Sequence, residues 1–434
     1  MTRLTSIERP DDVISPATTP PRLLLSAYQC GPGMGSVSQI GWEWYSRLAR
    51  KTRVTLVTHV RNRPALTAAG APLEGTEIIY IDTEWFAGPL YRLATRLFPK
   101  SQHSVFLLSS LDFYVYDAAV LSLLRRRLAE GENWDAVHAV TPVSPVAATR
   151  LHRLGPPLIV GPWNGGLRSP DCFAEILKGD SVWLYPLRNL GLLADLWFGS
   201  TRGAAHILTA TRATLESIPK RCRPRCYNML ENGVDLDRFH ASPWPAPPGD
   251  GRPLRILFTG RLVPFKGLGM LLSAVARVRT EFPVELTIVG EGPMKAEWQD
   301  LAARLGLSAA VSFAGAATLD QVAGHMRHAH VFCLPSVRES GGAVLIEAMA
   351  SGRPVIAVAY GGPAELVDEE VGRGIEPVNT ASVTDGLADA LRDVVRRPDI
   401  WRARGEQGRR RAESCFGWDA KIDEAMSLYG RMTR

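Results

Sequence analysis

Cysteine is scarce in this chain: six residues in 434, scattered along its length. Scattered thiols suit a reducing compartment and argue against a disulfide framework. Cys222 and Cys226 are the closest two, and no second pair accompanies them, so no zinc site is expected. Long clean apolar runs are also missing. The best candidate, Val182 to Phe198, is interrupted by Arg188 and Asp195 and does not read as a membrane span. The first 20 residues are polar and proline-rich, without the positive-then-apolar order of a secretory signal. They are expected to form a disordered tail. A Walker A loop, an H-E-x-x-H helix and a G-x-S-x-G turn are all absent.

Neither sign of charge dominates. The formal net charge is +6, with 22% charged and 46% hydrophobic residues, a balance typical of globular proteins. Basic residues are dispersed and carry no recognition motif, so nucleic acid is not an expected partner. They do concentrate in the N-terminal half: Arg47, Arg50, Lys51, Arg53, Arg61 and Arg63, then Arg92, Arg96 and Lys100, then Arg125 to Arg127. Such a bias would suit peripheral contact with an anionic membrane.

What the chain has is alternation. Apolar β-prone runs alternate with helical periodicity, which points to parallel α/β architecture. The runs at 22–28, 53–59, 77–82, 134–140, 157–162 and 205–211 read as strands of a first domain. A second alternation runs from Leu254 to about Arg397. Between them, Ala241 to Pro253 is rich in Pro and Gly and reads as a linker. The length suits two large domains. The expected organisation is a tail at 1–20, a domain at 21–240, the linker at 241–253, a domain at 254–415 and a terminal amphipathic helix at 416–434.

Two segments carry chemistry. "RESGGAVLIEAMASG" places Glu339 and Glu347 eight residues apart, around Ser340, Gly341 and Gly342. It reads as a loop that becomes a helix, with free N–H groups at the helix N-terminus that attract anions. At helical spacing the two carboxylates share one side. "FTGRLVPFKGLGM" is a strand-loop-helix unit carrying Gly260, Arg261, Lys266 and Gly267. An Arg fork and a Lys point charge at the head of a parallel sheet suit a diphosphate. A third glycine-rich loop, Gly31 to Ser36, follows the first strand. Its G-x-G-x-G spacing departs from the dinucleotide fingerprint, and no acidic residue ends the second strand, which weighs against an oxidoreductase.

Together these residues resemble the retaining GT-B glycosyltransferases, specifically glycosyltransferase family 4, the group 1 glycosyl transferases. The E-x7-E pair and the G-R-x4-K-G loop carry the resemblance, with "VGEGP" at Val289 to Pro293 and "ENGVDLDRF" at Glu231 to Phe239. It implies an α/β GT-B fold: two Rossmann-like doubly wound parallel-sheet domains facing a central cleft, with the last helix crossing back onto the first domain. It implies transfer of a hexosyl-type sugar from a nucleotide-sugar donor, UDP- or GDP-linked, to a glycan or lipid-linked acceptor in surface polysaccharide biosynthesis. Donor binding would fall to Gly33, Gly35, Gly260, Ser340, Gly341, Gly342 and Glu347. Arg261, Lys266, Glu339 and His138 would act in catalysis.

His138 lies in "WDAVHAVTP", and relatives carry a second His where this chain has Val140. Asn164 in "GPWNGG" fits a contact with sugar or acceptor, or equally a turn. Asp235 and Asp237 match a metal-binding D-x-D, but they sit inside the "NGVDLDRF" segment. With Arg261 and Lys266 supplying positive charge, neither a metal nor a cofactor is expected. The expected location is the cytoplasm or the inner membrane face. A GT-B nucleotide-sugar epimerase and a non-catalytic sugar-nucleotide binder are the rival readings.

Overall fold

A computed structural model describes residues 20–98, 108–167, 170–173, 176 and 194–432. The expected tail, Lys100 and most of the Val182–Phe198 stretch lie outside the described residues.

The apolar runs become strands. In the first domain these are β1 (Arg22–Ala27), β2 (Arg53–His59), β3 (Glu77–Ile81), β4 (Ala136–Thr141), β5 (Leu158–Trp163), β6 (His206–Thr209) and β7 (Cys226–Asn228). All pair in parallel, in the order β3-β2-β1-β4-β5-β6-β7. In the second domain they are β8 (Leu254–Thr259), β9 (Val284–Val289), β10 (Val311–Gly315), β11 (Val331–Leu334), β12 (Val355–Val358) and β13 (Gly372–Ile375). Their order is β10-β9-β8-β11-β12-β13, again all parallel. The two halves therefore repeat one topology, with strand order reversing between β1 and β4 and between β8 and β11.

Near-continuous apolar runs arise because both faces of each sheet are covered. In β1, Leu23 and Leu25 join one core and Leu24 the other. In β8, Ile256 and Phe258 point into one core and Leu257 into the opposite one. This is the doubly wound arrangement. Its crevices open beyond the carboxyl ends of the strands, at the reversal points.

The final helix, Trp418–Met432, crosses back onto the first domain as the resemblance implies. Trp418, Ile422, Leu428 and Tyr429 complete the core that contains Trp44 and Tyr45. Arg47 pairs with Asp419 at 2.7 Å and Lys51 with Asp423 at 2.5 Å.

The stretch at 241–253 differs from the linker expected. It lies against the second domain. Fully buried Arg353 donates to the carbonyls of Ser242 (3.0 Å) and Pro243 (3.1 Å), and Trp244 Nε1 donates to His330 O at 2.8 Å. Val234 and Phe239 already belong to a second-domain core. The chain thus changes domain near residues 230–233, ahead of the proline-rich stretch. Proline content marked irregular backbone there, and Arg353 removed its freedom.

Candidate active site

At the reversal point of the second sheet, the loops after β8 and β11 meet. Val337 N–H donates to Phe265 O at 2.9 Å. The Lys266 ammonium forms an ion pair with the Glu339 carboxylate, both side chains being mostly buried. Arg338 stacks over the Phe265 ring, 4.7 Å from its centroid. Arg261 lies exposed on the same β8 loop. Cations thus gather at the head of the sheet, as the diphosphate reading requires.

The helix after β11 runs from Ala343 to Ala350. Gly342 starts it at φ 73°, in the left-handed region, with no side chain capping the first turn. Its leading N–H groups are left without side-chain caps, the feature that draws anions. Glu339 precedes this helix by four residues, so helical spacing does not relate it to Glu347 as expected. The loop positions Glu339, through Lys266 and through Gly362 N–H, which donates to Glu339 O at 3.0 Å. Glu347 is half-buried in the helix, and its carboxyl has no hydrogen-bond partner among the described residues. Burial pushes its pKa up to about 8, with Arg238 opposing.

Across the cleft, Gly33 (φ 73°) and Gly35 (φ 108°) shape the loop between β1 and the helix Ser36–Leu48. A Cβ at either position would meet nothing within 4 Å. The loop is open, so these glycines serve backbone conformation and leave room for a ligand.

The domains touch through loops at the carboxyl ends of both sheets. Arg212 N–H donates to Glu365 at 2.8 Å. Asn164, after β5, donates to Glu231 Oε1 at 2.6 Å, and Asn232 Nδ2 adds a second bond at 2.9 Å. A Cβ on Gly341 would lie 1.9 Å from that same Oε1, so any side chain here would displace the Glu231 carboxylate. Glu231 is 4% exposed, and burial raises its pKa. Beneath it, fully buried Lys421 donates to the carbonyls of Leu230 and Asn232, and burial lowers its pKa to about 7.

His138 requires a correction. It is fully buried against Trp44, whose ring centroid is 4.8 Å away. Its Nε2–H donates to Gly161 O at 2.8 Å, so Nδ1 accepts from Tyr429 OH at 2.6 Å. With both nitrogens occupied, and burial pulling its pKa down to about 4, it cannot shuttle protons to a substrate. It ties the last helix to the first domain. Asp235 accepts from the N–H groups of Asp237 (3.1 Å) and Arg238 (3.2 Å), closing its own turn. Several of the basic residues in the N-terminal half are neutralised locally: Arg47, Lys51, Arg61 and Arg127 all form ion pairs.

Residues 253–396 match the family model described as glycosyl transferases group 1. The second domain is thus similar to that of the group 1 glycosyl transferases. The D-inositol 3-phosphate glycosyltransferase of Streptomyces coelicolor is 36% identical over 229 residues, covering 46% of this chain and 49% of that protein. The MMP alpha-(1->4)-mannosyltransferase of Mycolicibacterium hassiacum is 32% identical over 250 residues, covering 55% and 58%. The chain spans about half the length of the curated relatives it matches. Among solved structures, sucrose-phosphate synthase from Thermosynechococcus elongatus superposes with a TM-score of 0.60 at 18% identity, over 95% of this chain and 99% of that one. The Anabaena protein HepE, in complex with UDP-glucose, gives 0.58 at 16% identity, over 94% and 100%. These neighbours show the GT-B fold across both domains. The group 1 match takes in the Gly260–Gly267 loop and the Glu339–Glu347 segment.

Glu231, Asn232 and Lys421 were given no role on sequence grounds. Glu231 and Asn232 stood inside a recognised segment, and the one available signal was a carboxylate beside Asn-Gly at a domain change. Lys421 carried no signal, being one cation of an amphipathic helix.

Proposed function

We propose that this protein is a retaining, metal-independent glycosyltransferase of family 4, moving a hexosyl-type sugar from a UDP- or GDP-sugar to a glycan or lipid-linked acceptor. The observation that carries this reading is the meeting of the β8 and β11 loops, which sets Lys266 against Glu339 beside an uncapped helix N-terminus. The relatives and neighbours named above, glycosyltransferases among them, support it.

In this reading Arg261, Lys266 and the N–H groups of Gly341 and Gly342 receive the diphosphate. As the bond from sugar to phosphate breaks, negative charge builds on the leaving oxygen and positive charge on the sugar. Lys266 faces the first and Glu339 the second, and their mutual ion pair fixes both before substrate arrives. Glu347 receives the ribose hydroxyls. Gly33, Gly35 and Gly260 let backbone approach the ligand.

Surface polysaccharide biosynthesis, on the cytoplasmic side of a membrane, is the setting that fits this chemistry. A contact with anionic lipid is supported by the helix Glu84–Leu97, which exposes Trp85, Tyr91, Leu93 and Leu97 beside Arg92 and Arg96. The test is product analysis with UDP- and GDP-sugars and candidate acceptors. A new glycoside with retained anomeric configuration supports the reading, whereas an isomerised donor or an intact one contradicts it.

A further inference from the structure

Two buried acceptor atoms stand beside the first turn of the helix Ala343–Ala350 without a partner among the described residues: Glu231 Oε2 and Asn164 Oδ1. Their own neighbours are already committed. Glu231 Oε1 takes both amide donors, from Asn164 and Asn232. Lys421 gives two of its three N–H groups to the carbonyls of Leu230 and Asn232 and forms no hydrogen bond with Glu231 Oε2. A buried carboxylate oxygen left unpaired is costly, so a site of this kind calls for a donor from outside.

The chemistry of that donor is constrained. With Glu231 ionised, both open atoms accept hydrogen bonds and neither can donate. The diphosphate of a sugar nucleotide carries no proton at neutral pH and would be repelled by ionised Glu231. A group bearing hydroxyls satisfies both atoms at once. The location narrows it further. Glu231 and Asn164 both press against Gly341, two residues from Glu339. The diphosphate would sit toward Arg261 and Lys266, and the ribose toward Glu347.

We propose that Asn164 and Glu231 form a hydroxyl-binding subsite for the sugar that is transferred, contributed at the junction of the domains and facing Glu339 across the sugar. The inference rests on the glycosyltransferase reading. It assigns to the first domain and the interdomain segment a share in donor selection, and it explains why Gly341 is glycine: any side chain there would displace the Glu231 carboxylate.

The test is calorimetry with two pairs of probes, UDP and UDP-glucose, GDP and GDP-mannose, on the wild-type chain, Glu231→Gln and Asn164→Ala. For whichever sugar nucleotide the wild type binds, each variant should bind it about tenfold or more weakly, the scale of losing a hydrogen bond to a charged group. Affinity for the matching nucleoside diphosphate should stay within about twofold. Melting temperatures accompany each variant, and Asn164→Ala, which leaves Lys421 and its contacts intact, decides the matter if Glu231→Gln fails to fold. Equal losses for nucleotide and sugar nucleotide, or no loss for either, overturn the subsite while leaving the glycosyltransferase reading standing. Failure of the wild type to bind any of the four probes overturns both.

Discussion

Lys266 and Glu339 hold each other in place before any ligand arrives, and each should fail differently when removed. Lys266→Ala should keep the fold and lower turnover by on the order of 10²-fold, the scale of losing one electrostatic stabiliser. Steady-state rates measure this, and near-normal kinetics would remove Lys266 from the site. Glu339→Gln should lower kcat while nucleoside diphosphate binding stays nearly intact, because its charge matters where positive charge develops. Glu347→Gln should weaken nucleotide affinity by about 1.5–3 kcal/mol at most. Its pH dependence has a definite sign. Burial holds the free carboxyl at about 8, and hydroxyl donors favour the ionised form, so binding releases a proton. Nucleotide affinity should therefore climb as pH rises toward 8 and level off above it, with Glu347→Gln flattening the profile. Calorimetry in buffers of different ionisation enthalpy reads the released proton directly.

His138 shows where residue-level reading of the sequence stops. A histidine at a strand end beside "TPVSP" fits a catalytic pattern, and nothing local reveals that Trp44 and Tyr429, far away in sequence, enclose it. Its effect should be on stability. The folded pKa of about 4 lies below the unfolded value, so the unfolded chain binds more protons between them. Stability from this residue is full above the unfolded pKa and is lost as pH falls toward 4. Thermal melts across that range, compared with a His138→Gln variant, test the assignment.

At the scale of elements, much was legible. Six strands of the first domain and the loop-to-helix units of the second could be read from apolar runs punctuated by glycine, because fully covered parallel strands leave an uninterrupted signal. The short strand Cys226–Asn228, three residues long, left no such signal. The candidate site was legible where one loop carries its own chemistry, as at Gly260–Gly267. It was illegible where chemistry is assembled from distant segments, as with Asn164, Glu231 and Lys421. The proline-rich stretch at 241–253 belongs to this second class, since Arg353 fixes it from more than a hundred residues away. Arg353→Ala leaves two carbonyls without their donor, at a cost of about 1–3 kcal/mol. It should lower the melting temperature and open this stretch to limited proteolysis, while calorimetry shows nucleotide binding retained.

For the whole molecule, two sheets of one topology present their carboxyl ends to each other, and the ligand site follows from that geometry. If Arg261 and Lys266 offset the diphosphate charge as proposed, turnover should persist in excess chelator. In the proposed reaction, the Lys266 and Glu339 loops promote cleavage of the bond between a sugar and a nucleoside diphosphate. The most direct measurement follows nucleoside diphosphate release from a panel of UDP- and GDP-sugars, in wild-type and Lys266→Ala protein side by side. Release from one donor class by the wild type is expected, reduced by on the order of 10²-fold in the variant. Equal release by both proteins, or none from any donor that the wild type binds, would contradict it.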